Sequence, residues 1–487
     1  MNEPVGGGSR GRRQPLRRAF GREVTMATFT LTREIGVEDG FDLVVAGGGP
    51  GGCAAAICAA RLGAKVLLCE ATGCLGGMGT SGLVTAFDPM ADGKRMLVGG
   101  FMRELVETMY TRGFIAPGTS PDTWRKAYHH WTPFRVEGLK LLLDEFAVAA
   151  GVEVRFFTRI IDADPGAREV RGVVLHNGEG YRYVKAPTFV DATGDAVLSD
   201  LCGVPCRQAG RDTPSIMPAT LCSLHSGVDW GRFDYRQQQE ALLAAIRAGH
   251  FTQPDRQLPG LSRVGETLGY LNGGHVFALD ALRCRSLTDG MMLGRRIVQE
   301  YVAFYRKYVP GCEDMELVTT ASLMGVRESR RIVGEYELTL DDYLARRQFA
   351  DQIGVFNKFV DVHPHDCSEE AWERFRREME TLRLGVGECF GIPYRILVPA
   401  GWRNLWVAGR CNSSDVPVHG SIRVMPAAAM MGQAAGTAAV QSLETGQPAC
   451  DLDAARLVAT LREHGAYLPQ SENAEPGAAA GAGTPHR

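Results

Sequence analysis

At 487 residues the chain is too long for one small core, so two domains or one large domain with an insertion are expected. Its 45% hydrophobic and 22% charged residues are an ordinary globular composition, and a net charge of −3 gives no electrostatic case for nucleic acid or an anionic membrane. Thirteen cysteines, an odd number without paired CxxC motifs, argue against a secreted disulfide framework and for a reducing cytoplasm.

Residues 1–38 read as a disordered basic tail, Arg-rich but lacking the apolar run of a secretory signal. The first structured unit is predicted as strand 41–46, turn 47–52, helix 52–62 and strand 65–70, a βαβ arrangement. A helix is expected over 136–149. "VEVRFF", "EVRGVVLHNGEG" and "YRYVKAPTFVDATGD" then read as a strand, a hairpin and a strand. From about 205 to 385 the chain becomes more aromatic and charged, with helical patterns such as "GRRIVQEYVAFYRKY". This stretch reads as an inserted second domain. "NLWVAGR" (404–410) and a helix from about 424 return to the first style. "VMPAAAMMGQAAGTAAVQSL" (424–443) has membrane length, but Gln433, its glycines and its many alanines predict a close-packed helix instead. From Ser471 onward the sequence is low-complexity, and disorder is expected.

The turn carries the clearest chemistry. Gly47, Gly49 and Gly52 satisfy G-x-G-x-x-G between an apolar strand and a helix rich in small residues, with Pro50 and Gly51 completing the bend. The first glycine permits the tight turn, the second lets backbone amides approach a pyrophosphate, and the third lets helix and strand pack closely. The helix N-terminus offers unpaired N–H groups and positive dipole to that anion. Glu70, eighteen residues beyond Gly52, ends the next strand and can accept hydrogen bonds from an adenosine ribose. The pattern is that of a dinucleotide site; the alternative is a glycine-rich turn without a ligand. The turn alone leaves NAD and FAD open.

Just beyond Glu70 comes "ATGCLGGMGTSG" (71–82), a second glycine-rich segment that a simple NAD fold does not need. With it the chain resembles the FAD-binding oxidoreductases of the glutathione-reductase-like superfamily. "DATGD" (191–195) and "NLWVAGR…GSIRVMPAAAMMGQAAG" (404–436) extend the match across the chain. "GVRESRRIVGEY" (325–336) and "IPYRILVP" resemble a poorly characterised branch of FAD-dependent oxidoreductases. The resemblance implies an α/β fold. Its Rossmann-like FAD-binding domain, of the two-dinucleotide-binding-domain flavoprotein type, would be assembled from 39–204 and 386–470. An α+β substrate domain would be inserted over 205–385. It implies FAD as cofactor, held additionally by Gly76, Gly77 and Met78, by Thr193, Gly194 and Asp195, by Gly409 and Arg410, and by Gly432, Gln433 and Ala434.

Some chemistries drop out. No second G-x-G-x-x-G occurs mid-chain, so a dedicated nicotinamide domain is absent. Pyridine-nucleotide disulfide reductases place two cysteines with four residues between them after the acid; here Cys74 stands alone, with Gly79 in its partner's place. Cys53 and Cys58 have that spacing but fall within the first helix. The W-x-W-x-I-P pattern of flavin halogenases is missing.

On the substrate side, "VHGSIR" (418–423) resembles the H-G-x-N-R segment of soluble fumarate reductases, with Ile422 in place of the Asn. That likeness implies catalytic roles for His419 and Arg423 near the flavin N5, Arg423 binding an anionic group bidentately. A structural histidine and a cofactor-contacting arginine are the alternatives. Arg327 and Arg331, four apart, would share a helical face and hold the diphosphate or the substrate, or else pair with Glu328 and Glu335. "YHHWTPFR" (128–135) could face the flavin. "DVHPHDC" (361–367) lacks the second cluster a metal site usually needs, so a polar surface loop is expected and no metal.

The expected function is hydride exchange between flavin N5 and a small polar substrate, oxidising a CH–OH or CH–NH group with His419 as base and Arg423 orienting the substrate. Oxygen or an external electron acceptor or donor would close the cycle, with no nucleic-acid or membrane partner. Fumarate-reductase-like reduction of an activated alkene, and FAD binding without turnover, stand as alternatives. Richness in Ala, Arg and Gly is typical of a high-GC genome and points to specialised-metabolite biosynthesis.

Overall fold

The computed structural model describes residues 29–469. Most of the tail expected over 1–38, and all of that expected over 471–487, lies outside the described residues. The chain divides after Ile35, and everything below belongs to the unit from Gly36 onward. The tail boundary moves: Gly36–Glu38 is a strand running parallel to Gly180–Val184. Glu38 holds it there by pairing with Arg155 at 2.8 Å and Arg182 at 3.5 Å.

The centre is a five-stranded parallel sheet in the order Leu405–Val407, Thr188–Asp191, Leu43–Ala46, Val66–Cys69, Glu153–Arg155. Its first four strands are short apolar runs buried on both faces, which a covered parallel sheet requires. Helix Pro50–Arg61 follows the first of them in chain order and packs against the long helix Met425–Thr445. Their approach depends on absent side chains: a Cβ on Gly432 would collide with the Gly51 carbonyl. This explains the alanine- and glycine-rich stretch of membrane length. Among the described residues, no helix is long and apolar enough to cross a membrane.

A second sheet runs Gly36–Glu38, Gly180–Val184, Val170–Asn177, Arg159–Pro165. The stretch "YRYVKAPTFVDATGD", expected as one strand, is two strands in different sheets. Pro187 lies between them and cannot donate to a ladder. Arg159–Pro165 was not anticipated as a strand.

A third, antiparallel sheet (Gly260–Arg263, Gly269–Asn272, Ser223–Ser226, Glu316–Thr320) packs with helices Tyr235–Arg247 and Cys284–Tyr308. They share an apolar cluster that includes Leu221, Leu242, Leu261, Tyr301 and Phe304. The chain then returns to the first core, where Gln352–Phe356 pairs with Phe390–Pro393.

The helical face expected for Arg327 and Arg331 does not form. Arg330–Ile332 is a strand paired with Cys206–Gln208, and the Ile332 amide bonds to the Cys411 carbonyl. Strand geometry sends the neighbours apart. Arg330 reaches Asp200 at 2.8 Å, while Arg331 is buried beside Glu328 at 3.4 Å. Glu335 does not join them; its carboxylate accepts from the Gly401 amide.

Candidate active site

The glycine turn opens onto a cavity of about 660 Å³, within the range of small-molecule sites. Gly47 adopts φ +94°, a left-handed conformation that favours glycine, and its amide bonds to the Cys69 carbonyl. Gly49 caps the helix without any side-chain hydrogen bond, and nothing lies within 4 Å of where its Cβ would be. The first-turn amides therefore remain available to an anion. The Glu70 carboxylate accepts from the Gly48 and Thr72 amides, each at 2.7 Å, which ties the end of the second strand to the turn.

The loop after Thr188–Asp191 is fixed from beneath. Buried Asp191 accepts hydrogen bonds from the amide and hydroxyl of Thr193 and of Ser199. Asp195 takes Arg410 at 2.7 Å and Ser329 at 2.6 Å, and Arg410 also donates to the Val326 and Gly194 carbonyls. One knot thus joins three distant segments at the cavity edge.

The residues expected from sequence separate into two groups. Gly47, Gly49, Pro50, Gly51 and Glu70 line the cavity, as do Gly77 and Met78. So do Thr193, Gly194, Asp195, Gly409, Arg410 and Arg423. The others stand behind the wall. Gly52 packs on the Gly47 carbonyl, and Gly76 donates to the Gly48 carbonyl at 2.8 Å. Gly432 serves helix packing, and Ala434 is fully buried beyond it. Gln433 turns away, accepting from the Phe101 amide and donating to the His464 carbonyl.

His419 requires a correction: it is fully buried and absent from the cavity wall. Its Nε2 lies 3.1 Å from the Arg327 carbonyl, to which it can only donate. Burial, then Arg331 and Arg423, holds the imidazole well below its usual pKa, so it is neutral. It shares helix Val416–Ile422 with the approach to Arg423, but the longer side chain alone reaches the cavity.

Sequence reasoning missed most of the charged wall. Arg327, Asp88, Lys358, Asp361 and His363 all line the same cavity. "DVHPHDC" is therefore no surface loop at its start, since His363 is only 5% exposed. Lys358 Nζ bonds Asp88 at 2.6 Å and lies 4.0 Å from Asp361. Arg423 reaches the Asp361 carboxylate at 3.0 Å. Burial works to raise the Asp361 pKa, but His363, then Lys358 and Arg423, outweigh it and hold it well below the usual carboxylate range. Arg327 bonds only neutral oxygens, the Pro218 carbonyl and Thr220 Oγ1. Burial, then Arg423, lowers it to about 10. Burial and then Arg327 hold His363 well below its usual pKa, as a neutral imidazole. From the 128–135 segment only Trp131 reaches the cavity, not its two histidines. Cys53 and Cys58 sit inside the first helix with burial raising both thiols, Cys58 to about 12.

The profile of the FAD dependent oxidoreductase family matches residues 42–462. The chain belongs to that family. Its cofactor is FAD, and the uncapped turn, Glu70 and the knotted loops fit the dinucleotide. No curated protein matches this flavoprotein. Among solved structures it is similar to a geranylgeranyl bacteriochlorophyll reductase-like protein from Thermoplasma acidophilum, at 13% identity over 88% of this chain and 83% of that one, with a TM-score of 0.44. A flavin-dependent brominase gives 15% identity, 88% and 83% coverage and a TM-score of 0.44. The myxobacterial chondrochloren halogenase gives 15%, 88%, 79% and 0.40.

Proposed function

We propose that this flavoprotein oxidises a CH–OH or CH–NH group of a small anionic substrate, with Arg327 holding the anion and His363 taking the departing proton. One observation carries the reading: Gly49 and His363 line a single cavity, so ligands at the phosphate-binding turn and at the charged wall share one chamber. FAD, when bound, supplies a hydride acceptor.

The charge count favours an anion. Arg327, Lys358 and Arg423 line this end with Asp88 and Asp361, and Asp255 acts on Arg327 from behind the wall, but the hydrogen bonds of Arg327 go to neutral oxygens and leave it without a directly bonded carboxylate. A buried charge without a counter-ion costs several kcal/mol, about what a bound carboxylate would offset. A guanidinium also orients that carboxylate in two parallel hydrogen bonds. Loss of hydride from the neighbouring carbon leaves an O–H or N–H proton to remove, and a neutral imidazole accepts one. His419 positions instead, its Nε2 holding the Arg327 carbonyl.

The inserted domain, expected over 205–385, would supply Arg327, Lys358, Asp361 and His363, while 39–204 and 386–470 hold the cofactor. Oxygen or a separate electron carrier would restore the oxidised state. A reducing cytoplasm suits the thirteen free thiols.

Anaerobic bleaching of the purified yellow protein against a panel of alcohols, amines and their carboxylated counterparts tests the reading. The carboxylated members should bleach it and the uncharged ones should not. Failure of every member, with reoxidation of the reduced cofactor by an unsaturated acid, would replace oxidation by alkene reduction.

A further inference from the structure

Behind His363 lies a second histidine that the reaction above does not use. His275 Nε2 is 2.9 Å from His363 Nδ1. On its far side, His275 Nδ1 is 3.0 Å from Asp255 Oδ2, and on the cavity side His363 Nε2 is 3.3 Å from Asp361 Oδ1. The result is a buried row, Asp255–His275–His363–Asp361, with one end in the cavity wall. The four residues are between 3% and 16% exposed by residue or side chain. A metal is not what draws them together, because two imidazole nitrogens 2.9 Å apart are bonded to each other rather than to an ion.

Counting protons shows what the row can do. The contact between the two imidazoles is a hydrogen bond and needs a proton between its nitrogens, while the two carboxylates stand at ion-pair distance from the outer nitrogens and favour a proton there. Two neutral imidazoles bring two protons, so one contact is left without. Three protons give the pair one positive charge between two carboxylates. The row therefore has a vacancy for one proton, which the two carboxylates favour while burial and Arg327 keep it empty at rest.

We propose that His275 and Asp255 act as positioning and proton-storing residues behind His363, so that the pair of imidazoles takes up the substrate's proton as one unit. This rests on the oxidation reading given above. In the two-proton state Asp255 fixes the proton of His275 on Nδ1, His275 Nε2 accepts from His363 Nδ1, and His363 Nε2 is bare. With bound FAD supplying the hydride acceptor, the substrate's O–H or N–H proton would pass to His363 Nε2 as the C–H bond breaks. The gained charge moves to His275, nearer Asp255 and away from Arg327. The groups facing the row are Arg327 at His363, Lys358 and Arg423 at Asp361, and Cys367 and Tyr301 at Asp255.

The test is nitrogen NMR of the FAD-bound protein carrying 15N-histidine, titrated without substrate from about pH 5 to 9. His275→Gln and His363→Gln spectra assign the two rings. Both rings should shift together at the acidic end of the range, with a total uptake of one proton. Separate midpoints, or no change in either ring, would overturn the proposal. In His275→Gln, reduction of the flavin by substrate should slow about tenfold or more, with its acidic limb displaced to lower pH. An unmoved limb would also overturn it. Joint titration without bleaching by any substrate would remove the oxidation reading and leave the row intact.

Discussion

The two ends of the cavity are built in opposite ways. At the glycine turn the wall is backbone: amides aimed by a left-handed Gly47, and helices brought close because Gly51 and Gly432 have no side chains. At the other end it is side chain: Asp88, Arg327 and Arg423 meet the 358–363 stretch, where Lys358 pairs with Asp88 and Asp361 with Arg423. The first end derives its chemistry from geometry, so altering it removes the fold or the cofactor. The second derives its chemistry from charge, so altering it should spare the fold and change the reaction.

Substitutions can break that contrast. Gly432→Val forces a side chain against backbone and should cost about 3 kcal/mol, seen as a lower Tm and poor FAD retention. His363→Gln should keep colour and Tm while slowing flavin reduction by about 10²–10⁴-fold, measured by anaerobic stopped flow. Arg327→Met should lower kcat/KM for a carboxylated substrate by about 10–100-fold. Its Tm should hold or rise, since an unpaired buried cation is gone.

Acid sharpens the same contrast with a smaller effect. His419 is held neutral in the fold but titrates near 6.5 when unfolded. Below that value the unfolded chain binds a proton that the folded chain refuses. Stability from this residue is full above about pH 6.5 and declines as pH falls below it. His419→Gln should flatten the fall of Tm between about pH 6.5 and 5, with only a modest loss of rate.

The turn was legible in the sequence because its demands are local: Gly47, Gly49 and Glu70 lie within a short βαβ unit and act through backbone position. The parallel strands announced themselves as apolar runs for the same reason. The charged end was legible only in Arg327 and Arg423. His363 looked like part of a solvated loop because the ring that covers it, His275, is far away in sequence. His419 looked catalytic because "VHGSIR" resembles the fumarate reductase segment, yet its imidazole is turned to the Arg327 carbonyl and only the longer Arg423 side chain reaches the cavity. Gln433 was misjudged more simply: it adjoins the packing residue Gly432, and consecutive helical positions face different ways. One signal was available, the concentration of two histidines and two aspartates in "DVHPHDC".

The central claim is that the cationic wall and the flavin share one chamber. Titrating the oxidised yellow protein with short carboxylates such as glycolate and succinate, while following the visible flavin band, tests it most directly. A saturable perturbation of the wild-type spectrum, lost in Arg327→Met at unchanged FAD content, is the expected result. An equal perturbation in both proteins, or none in the wild type, would contradict it.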